Sequence, residues 1–126
     1  MKDFFKKNKI PTTKLVNNYT RNSKLKFPLV VKPVDMSGSK GVLLCKNKNE
    51  LKYLLKRSKD ESIKKKIILE EFCTGPQLSI ETLIIDDNCY TFGFAERNYS
   101  DTKSFYPNIL ENGGIQPAQN YIKYKP

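Results

Sequence analysis

The chain has 126 residues, 38% of them hydrophobic and 11% aromatic, which is enough for one compact domain with a modest core. It carries 23 Lys+Arg against 13 Asp+Glu, a formal net charge of +10, and no histidine. Histidine-based catalysis is excluded, and three cysteines without CxxC spacing (Cys45, Cys73 and Cys89) argue against a zinc site and a disulfide framework.

Met1, Phe4 and Phe5 stand at i, i+3 and i+4 and predict a short helix ending near Asn8, before the extended Ile10-Pro11 pair. Residues 16–26, VNNYTRNSKLK, are polar and turn-like, a connector or a hairpin. Phe27–Val34 reads as a strand with Pro28 near its start, where a missing N–H is tolerated. DMSGSKG is a loop, and Val42–Cys45 is the returning strand. Asn47 with Glu50 resembles a capping box, and Leu51, Leu54, Leu55 and Ser58 follow at helical spacing, so a helix is predicted over 48–59. Lys64–Lys66 lead into IILEEF, a short buried strand, and Cys73-Thr74-Gly75-Pro76 is a turn. Gln77–Ile85 alternates, with Leu78, Ile80, Thr82 and Ile84 facing one way and Gln77, Ser79, Glu81 and Leu83 the other. Asp86-Asp87-Asn88 is a hairpin turn returned by Tyr90–Ala95, and beyond Asn98 the periodicity is lost. Strands joined by a tight loop pair antiparallel, and a helix with one apolar stripe covers one face of the sheet. The expected class is therefore α+β, an antiparallel sheet with helices packed on one face and the other face open to a ligand.

Lys32 interrupts the apolar run of Leu29, Val30, Val31 and Val34, and alternation puts it on the side of Val30 and Val34. Burying an unpartnered ammonium is costly. Either Lys32 snorkels from an edge strand, or a permanent counter-charge faces it, a carboxylate or a bound phosphate. In the loop that follows, Ser37, Gly38, Ser39 and Gly41 let the backbone approach a ligand closely. Their N–H groups and hydroxyls suit phosphate oxygens, and Lys40 adds charge. Neither GxxxxGK[ST] nor GxGxxG is present, and the loop joins two strands, so a plain turn is the competing reading. Glu70 and Glu71 end a buried strand, where neighbours point to opposite faces and do not form an acid–base dyad. Backbone and side chain at such a strand end can read an adenine edge, with Phe72 or Cys73 as an apolar wall. The competing reading is solvated strand-end charge.

The basic excess is 20 lysines and three arginines (Arg21, Arg57 and Arg97), scattered from Lys2 to Lys125. Arginine-rich readout and stacking platforms are not evident, so no dedicated nucleic-acid partner is expected. The alternative function is a small non-catalytic α+β module that binds polyanions or nucleic acid through its lysines, steeply salt-dependent and indifferent to base. No apolar run approaches the roughly 20 residues of a membrane span. The first residues lack the apolar segment of a secretory signal, so a reducing cytoplasm is expected and no membrane partner.

IPTTK (10–14), FPLVVKPVDMSGSKGV (27–42), IILEEFCTGPQLSIETLI (67–84) and IQPA (115–118), in that order, make the chain resemble the ATP-grasp superfamily. That superfamily includes D-alanine ligases, biotin carboxylases and carbamoyl-phosphate synthetases. The resemblance implies that Lys32 contacts ATP phosphates and that the loop 35–41, through Ser37, Gly38, Ser39, Lys40 and Gly41, closes over them as a lid. It makes Glu70 and the backbone of Glu71, Phe72 and Cys73 the adenine hinge. Gln77 stands where the family often has a ribose-binding glutamate, and can hydrogen-bond hydroxyls without charge. Lys2 and Lys6 are stand-ins for an upstream cation that also contacts nucleotide, and Glu96, Arg97 and Glu111 are candidates near the active-site mouth. The implied organisation is an ATP-binding subdomain over 1–74 and the start of a second subdomain over 75–126. The implied parent is a ligase that uses ATP and Mg2+ to form an acyl phosphate from a carboxylate or bicarbonate and joins it to an amine or similar nucleophile. No Glu-x-Asn segment follows IQPA, where the resemblance places the family's metal ligands, so magnesium ligands are not expected in this chain. It reads as a portion of a larger ligase, inactive alone or a weak binder of ATP.

Overall fold

The computed structural model describes residues 2–16, 25–101 and 103–120; Met1, residues 17–24 of the expected connector, Thr102 and residues 121–126 lie outside the described residues. The chain forms two units, Met1–Cys73 with Tyr106–Ile109, and Thr74–Phe105 with Leu110–Pro126.

The first unit opens with α1 (Lys2–Lys7), a single short helix that buries no residue. Its centre is an antiparallel sheet of β1 (Leu29–Pro33), β2 (Leu43–Cys45) and β3 (Ile67–Glu71), in the order β2-β1-β3. The stiff Val30-Val31 pair favours extended backbone, and alternation buries Leu29, Val31 and Pro33 while Val30 and Lys32 stay half-buried. Helix α2 (Lys48–Glu61) covers the buried face. It starts at Asn47, whose side-chain oxygen accepts from the N–H groups of Asn49 (3.0 Å) and Glu50 (3.3 Å). Glu50 turns back to the N–H of Lys46 at 3.3 Å, one residue ahead of the cap, so the returning bond of the capping box is displaced by one position. The helix runs two residues beyond the expected 59. Its stripe brings Leu51 and Leu54 onto Leu29, Val31, Leu43, Cys45 and Leu69, with Val16, Leu25, Phe27, Leu55 and Ile67 half-buried around them. Each fully buried leucine contributes about 1.5–3 kcal/mol.

Both edges of this sheet are covered by short segments. Leu15 bridges Glu70, and the Val16 N–H donates to Leu69 O at 2.8 Å. On the β2 side Asn108 bridges Leu43, Leu44 N–H donates to Pro107 O (2.7 Å), and Ile109 N–H donates to Val42 O (3.1 Å). The Tyr106 hydroxyl donates to the Glu50 carboxylate, and the Lys46 ammonium lies 4.0 Å above the Tyr106 ring.

The second unit holds β4 (Gln77–Ile85), β5 (Asn88–Arg97) and β6 (Gly114–Ile115), antiparallel in the order β4-β5-β6. Asp86 and Asp87 are both left-handed (φ 47° and 62°) and Ile85 pairs with Asn88, so the turn has two residues rather than three. Glu81 pairs with Gly93 and Thr82 with Thr91, which leaves Phe92 as an extra residue on β5. Glycine is required at 93, because a Cβ there would sit 2.9 Å from that of Glu81. The class is α+β as expected, although within the first unit only α2 packs on the sheet face and the second unit contains no described helix.

Candidate functional site

The register sets Val30 opposite Glu70 and Lys32 opposite Ile68, so these four share the face of the first sheet turned away from α2. Lys32 reaches diagonally across that face, placing Nζ 2.7 Å from Glu70 Oε2. The other oxygen, Oε1, takes the ammonium of Lys2 at 2.8 Å. Lys2 also donates to Thr12 Oγ1 (2.8 Å), to the Thr13 carbonyl (3.0 Å) and to the Thr13 hydroxyl. The Glu70 side chain is only 4% exposed, against 34% for Lys32. Burial opposes the charge on Glu70, but the hydrogen bonds and charges of Lys2 and Lys32 prevail and hold its carboxyl below the ordinary range. Of the two counter-charges the sequence leaves open for Lys32, the carboxylate is in place. Two ammoniums share one carboxylate, which leaves one positive charge in excess on this face, and Lys32 retains surface for a second anion.

The loop 35–41 continues directly from this strand. Gly38, Ser39 and Gly41 are left-handed (φ 60°, 58° and 72°), the conformation from which anion-binding backbone concavities are built. Internal bonds from Lys40 N–H to Ser37 O (3.2 Å) and from Val42 N–H to Ser39 O (3.1 Å) shape it. Gly41 is required by packing as well as by φ, since a Cβ would fall 2.8 Å from Pro33 Cγ and 3.0 Å from Glu61 Cβ. Lys40 lies 3.3 Å from the Glu61 carboxylate, an exposed pair that contributes at most about 1 kcal/mol. Asp35, at the loop entry, carries no signal in the sequence beyond its place in the loop; it accepts from the Ser62 hydroxyl and the Lys64 N–H.

At the strand end, Glu71 N–H donates to Lys14 O (3.1 Å) and Phe72 N–H to Pro28 O (3.4 Å), so two of the three expected hinge amides already have acceptors within the unit. The Glu71 carboxylate accepts from Lys14 N–H at 2.9 Å. Phe72 is half-buried and Cys73 exposed. Lys6 lines a cleft of roughly 570 Å³ with Lys2, Lys9, Thr12, Thr13 and Lys14. The role of Lys2 carries no signal of its own in the sequence beyond its place in the resemblance.

Gln77 is the exposed first residue of β4 and belongs to the second unit. There Glu96 is buried and accepts from the N–H groups of Gln119 and Asn120, both at 2.6 Å, and from Asn120 Nδ2 at 3.0 Å. Arg97 pairs with Glu111 (2.7 Å) and donates to Ser79 Oγ (3.2 Å). Among the described residues no three His, Cys, Asp or Glu side chains cluster to hold a metal ion.

The family model of the phosphoribosylglycinamide synthetase ATP-grasp (A) domain matches residues 1–117. The chain belongs to this ATP-grasp family. It is 35% identical over 105 residues to a formate-dependent phosphoribosylglycinamide formyltransferase of Prochlorococcus marinus, a match covering 77% of this chain and 27% of that protein. It is 38% identical over 60 residues to a D-alanine–D-alanine ligase of Fusobacterium nucleatum, covering 46% of this chain and 18% of the relative. Among solved structures, the L-amino acid ligase of Bacillus licheniformis superposes with a TM-score of 0.70 at 28% identity, over 93% of this chain and 26% of that one. The chain thus spans about a quarter or less of the length of these relatives. The expected ATP-grasp relationship is borne out: the chain corresponds to a portion of the ATP-grasp fold of these ligases. Nothing in the comparisons favours a polyanion-binding module.

Proposed function

We propose that the first unit binds the phosphates and adenine of ATP on the sheet face turned away from α2, as part of a ligase that activates a carboxylate. The observation that carries this reading is Lys32, a part-exposed ammonium fixed by a buried carboxylate at the mouth of a left-handed Ser/Gly loop. Lys32 and Lys40 offset phosphate charge, and the N–H groups of Ser37, Gly38, Ser39 and Gly41 donate to phosphate oxygens. Glu70 holds Lys32 and Lys2 in place. The strand end at Glu71–Cys73 meets the adenine through the backbone groups that Lys14 O and Pro28 O do not occupy, the Cys73 N–H among them, with Phe72 or Cys73 as the apolar wall. The ribose role of Gln77 rests on the resemblance alone. In the whole protein, an oxygen of the carboxylate or bicarbonate attacks the γ-phosphorus and ADP leaves; an amine then attacks the acyl carbon and phosphate leaves. The described residues present no donor cluster that fits magnesium, so none of them is assigned to it. No described helix is long and apolar enough to cross a membrane, and three free cysteines, Cys73 and Cys89 exposed among them, suit the cytoplasm we assign to the protein.

Calorimetric titration of the chain with ATP, AMP and tripolyphosphate at two salt concentrations tests this reading. ATP is expected to bind more tightly than either, and Lys32→Ala to weaken ATP about tenfold or more, the scale of one lost charge-assisted contact. Equal affinity for ATP and tripolyphosphate, collapsing with salt, would sink the assignment in favour of a polyanion binder.

A further inference from the structure

A loop that receives phosphate has no obvious use for a carboxylate at its entrance, because a free anion there would repel the ligand. Asp35 is not free. Its Oδ1 accepts from the Ser62 hydroxyl at 2.8 Å and its Oδ2 from the Lys64 N–H at 2.6 Å. Ser62 is fully buried, closes the last turn of α2 through its N–H to Lys59 O (3.2 Å), and accepts in turn from the Lys66 N–H at 3.0 Å. One residue before Asp35, Val34 N–H donates to Lys66 O at 3.2 Å. The entrance of the loop is thereby fastened to the link between α2 and β3, within the same unit that holds Lys32. The exit is fixed independently, by Gly41 against Pro33 and Glu61. Only residues 36–40 lie between the two fixed ends, and Ser37, Gly38 and Lys40 among them are exposed.

We propose that Asp35 is a positioning residue for the phosphate loop: it anchors the loop entrance to Ser62 and Lys64, so that the amides of Ser37, Gly38, Ser39 and Gly41 are held at a set distance from Lys32. This rests on the ATP reading above. Asp35 touches no phosphate itself; both of its oxygens are turned to the α2–β3 link, where the donors offset its charge. An anchor of this kind acts on the phosphate end of the ligand and leaves the adenine end alone. Its loss therefore has a signature that general destabilisation lacks.

The test compares ATP and AMP binding in the wild-type chain, Asp35→Ala and Asp35→Asn, with amide hydrogen exchange at Lys64 and Lys66 recorded for each. Asp35→Ala is expected to weaken ATP about tenfold while AMP stays within about twofold, with faster exchange at the Lys64 amide. Asp35→Asn keeps one accepting oxygen and should fall between wild type and alanine; it carries the test alone should the alanine variant not fold. Equal weakening of ATP and AMP, or unchanged ATP binding once the Lys64 amide has lost protection, overturns the role given to Asp35. A wild-type chain that does not distinguish ATP from AMP overturns the ATP reading instead, and the positioning role falls with it.

Discussion

The two units build antiparallel sheets by opposite means. In the first, strands of three to five residues are held by what surrounds them: α2 on one face, residues 14–16 along β3, and residues 106–109 along β2. In the second, strands of nine and ten residues form a hairpin closed by a two-residue turn, yet Ile84 and Phe92 are each 70% exposed. Good local turn chemistry and long backbone pairing give a strand its shape, whereas burial gives it stability, and an isolated hairpin is marginal in water. The phosphate-contacting residues proposed here sit in the unit that is stabilised by burial.

The sharpest way to break this comparison is a pair of truncations. Leu54→Ala, at a leucine 2% exposed, is expected to cost about 2–5 kcal/mol in urea unfolding, and Ile84→Ala no more than about 0.5 kcal/mol. Comparable losses would mean that the second sheet is as well buried as the first. Next in size is Glu70→Gln, which leaves Lys2 and Lys32 without their shared carboxylate and should cost about 1–3 kcal/mol at neutral pH. The Glu70 carboxyl is held below its ordinary value of 4.5 in the folded chain, so its contribution is fully present above that pH and is lost as pH falls through the folded value. Wild type and Glu70→Gln should therefore start to draw together as pH falls past 4.5 and coincide only below the lower folded value, in acid-unfolding curves recorded side by side. The smallest effect is expected at Tyr106. Its hydroxyl is pushed from 10.0 up to about 12 by burial and by the bond to Glu50, so the neutral form stabilises the fold below pH 10.0 and that gain is lost as pH rises towards 12. Tyr106→Phe should remove this alkaline limb and raise hydrogen exchange at the Leu44 amide, which donates to Pro107; faster exchange confined to the hairpin would assign Tyr106 to the wrong unit.

Much of this architecture is legible in the sequence because it is periodic. The cap at Asn47 and the spacing of Leu51, Leu54 and Ser58 mark α2 to within two residues, and the alternation of Gln77–Ile85 marks β4. The turn at Asp86 is legible from its aspartates, although Asn88 proves to be the first residue of β5. Tyr106–Ile109 is not legible, because two backbone bonds and one bridge involve too few residues to impose a period. At the site, the need of Lys32 for a counter-charge follows from its apolar neighbours, but the choice of Glu70 depends on the β1–β3 register, which no local pattern encodes. Lys2 joins the same carboxylate from 68 positions away, and Asp35 meets Ser62 across 27.

The segment 106–109 has a bearing on how this protein can be cut. A polypeptide ending at Cys73 would keep β1, β2, β3 and α2, and would look complete by its secondary structure. It would nevertheless lose Pro107 and Ile109, leaving the Leu44 amide and the Val42 carbonyl on an open strand edge that invites pairing with another molecule. A soluble minimal fragment of the first unit therefore calls for residues 106–109 spliced back through a short linker, since continuity along the chain is a poor guide to continuity in space.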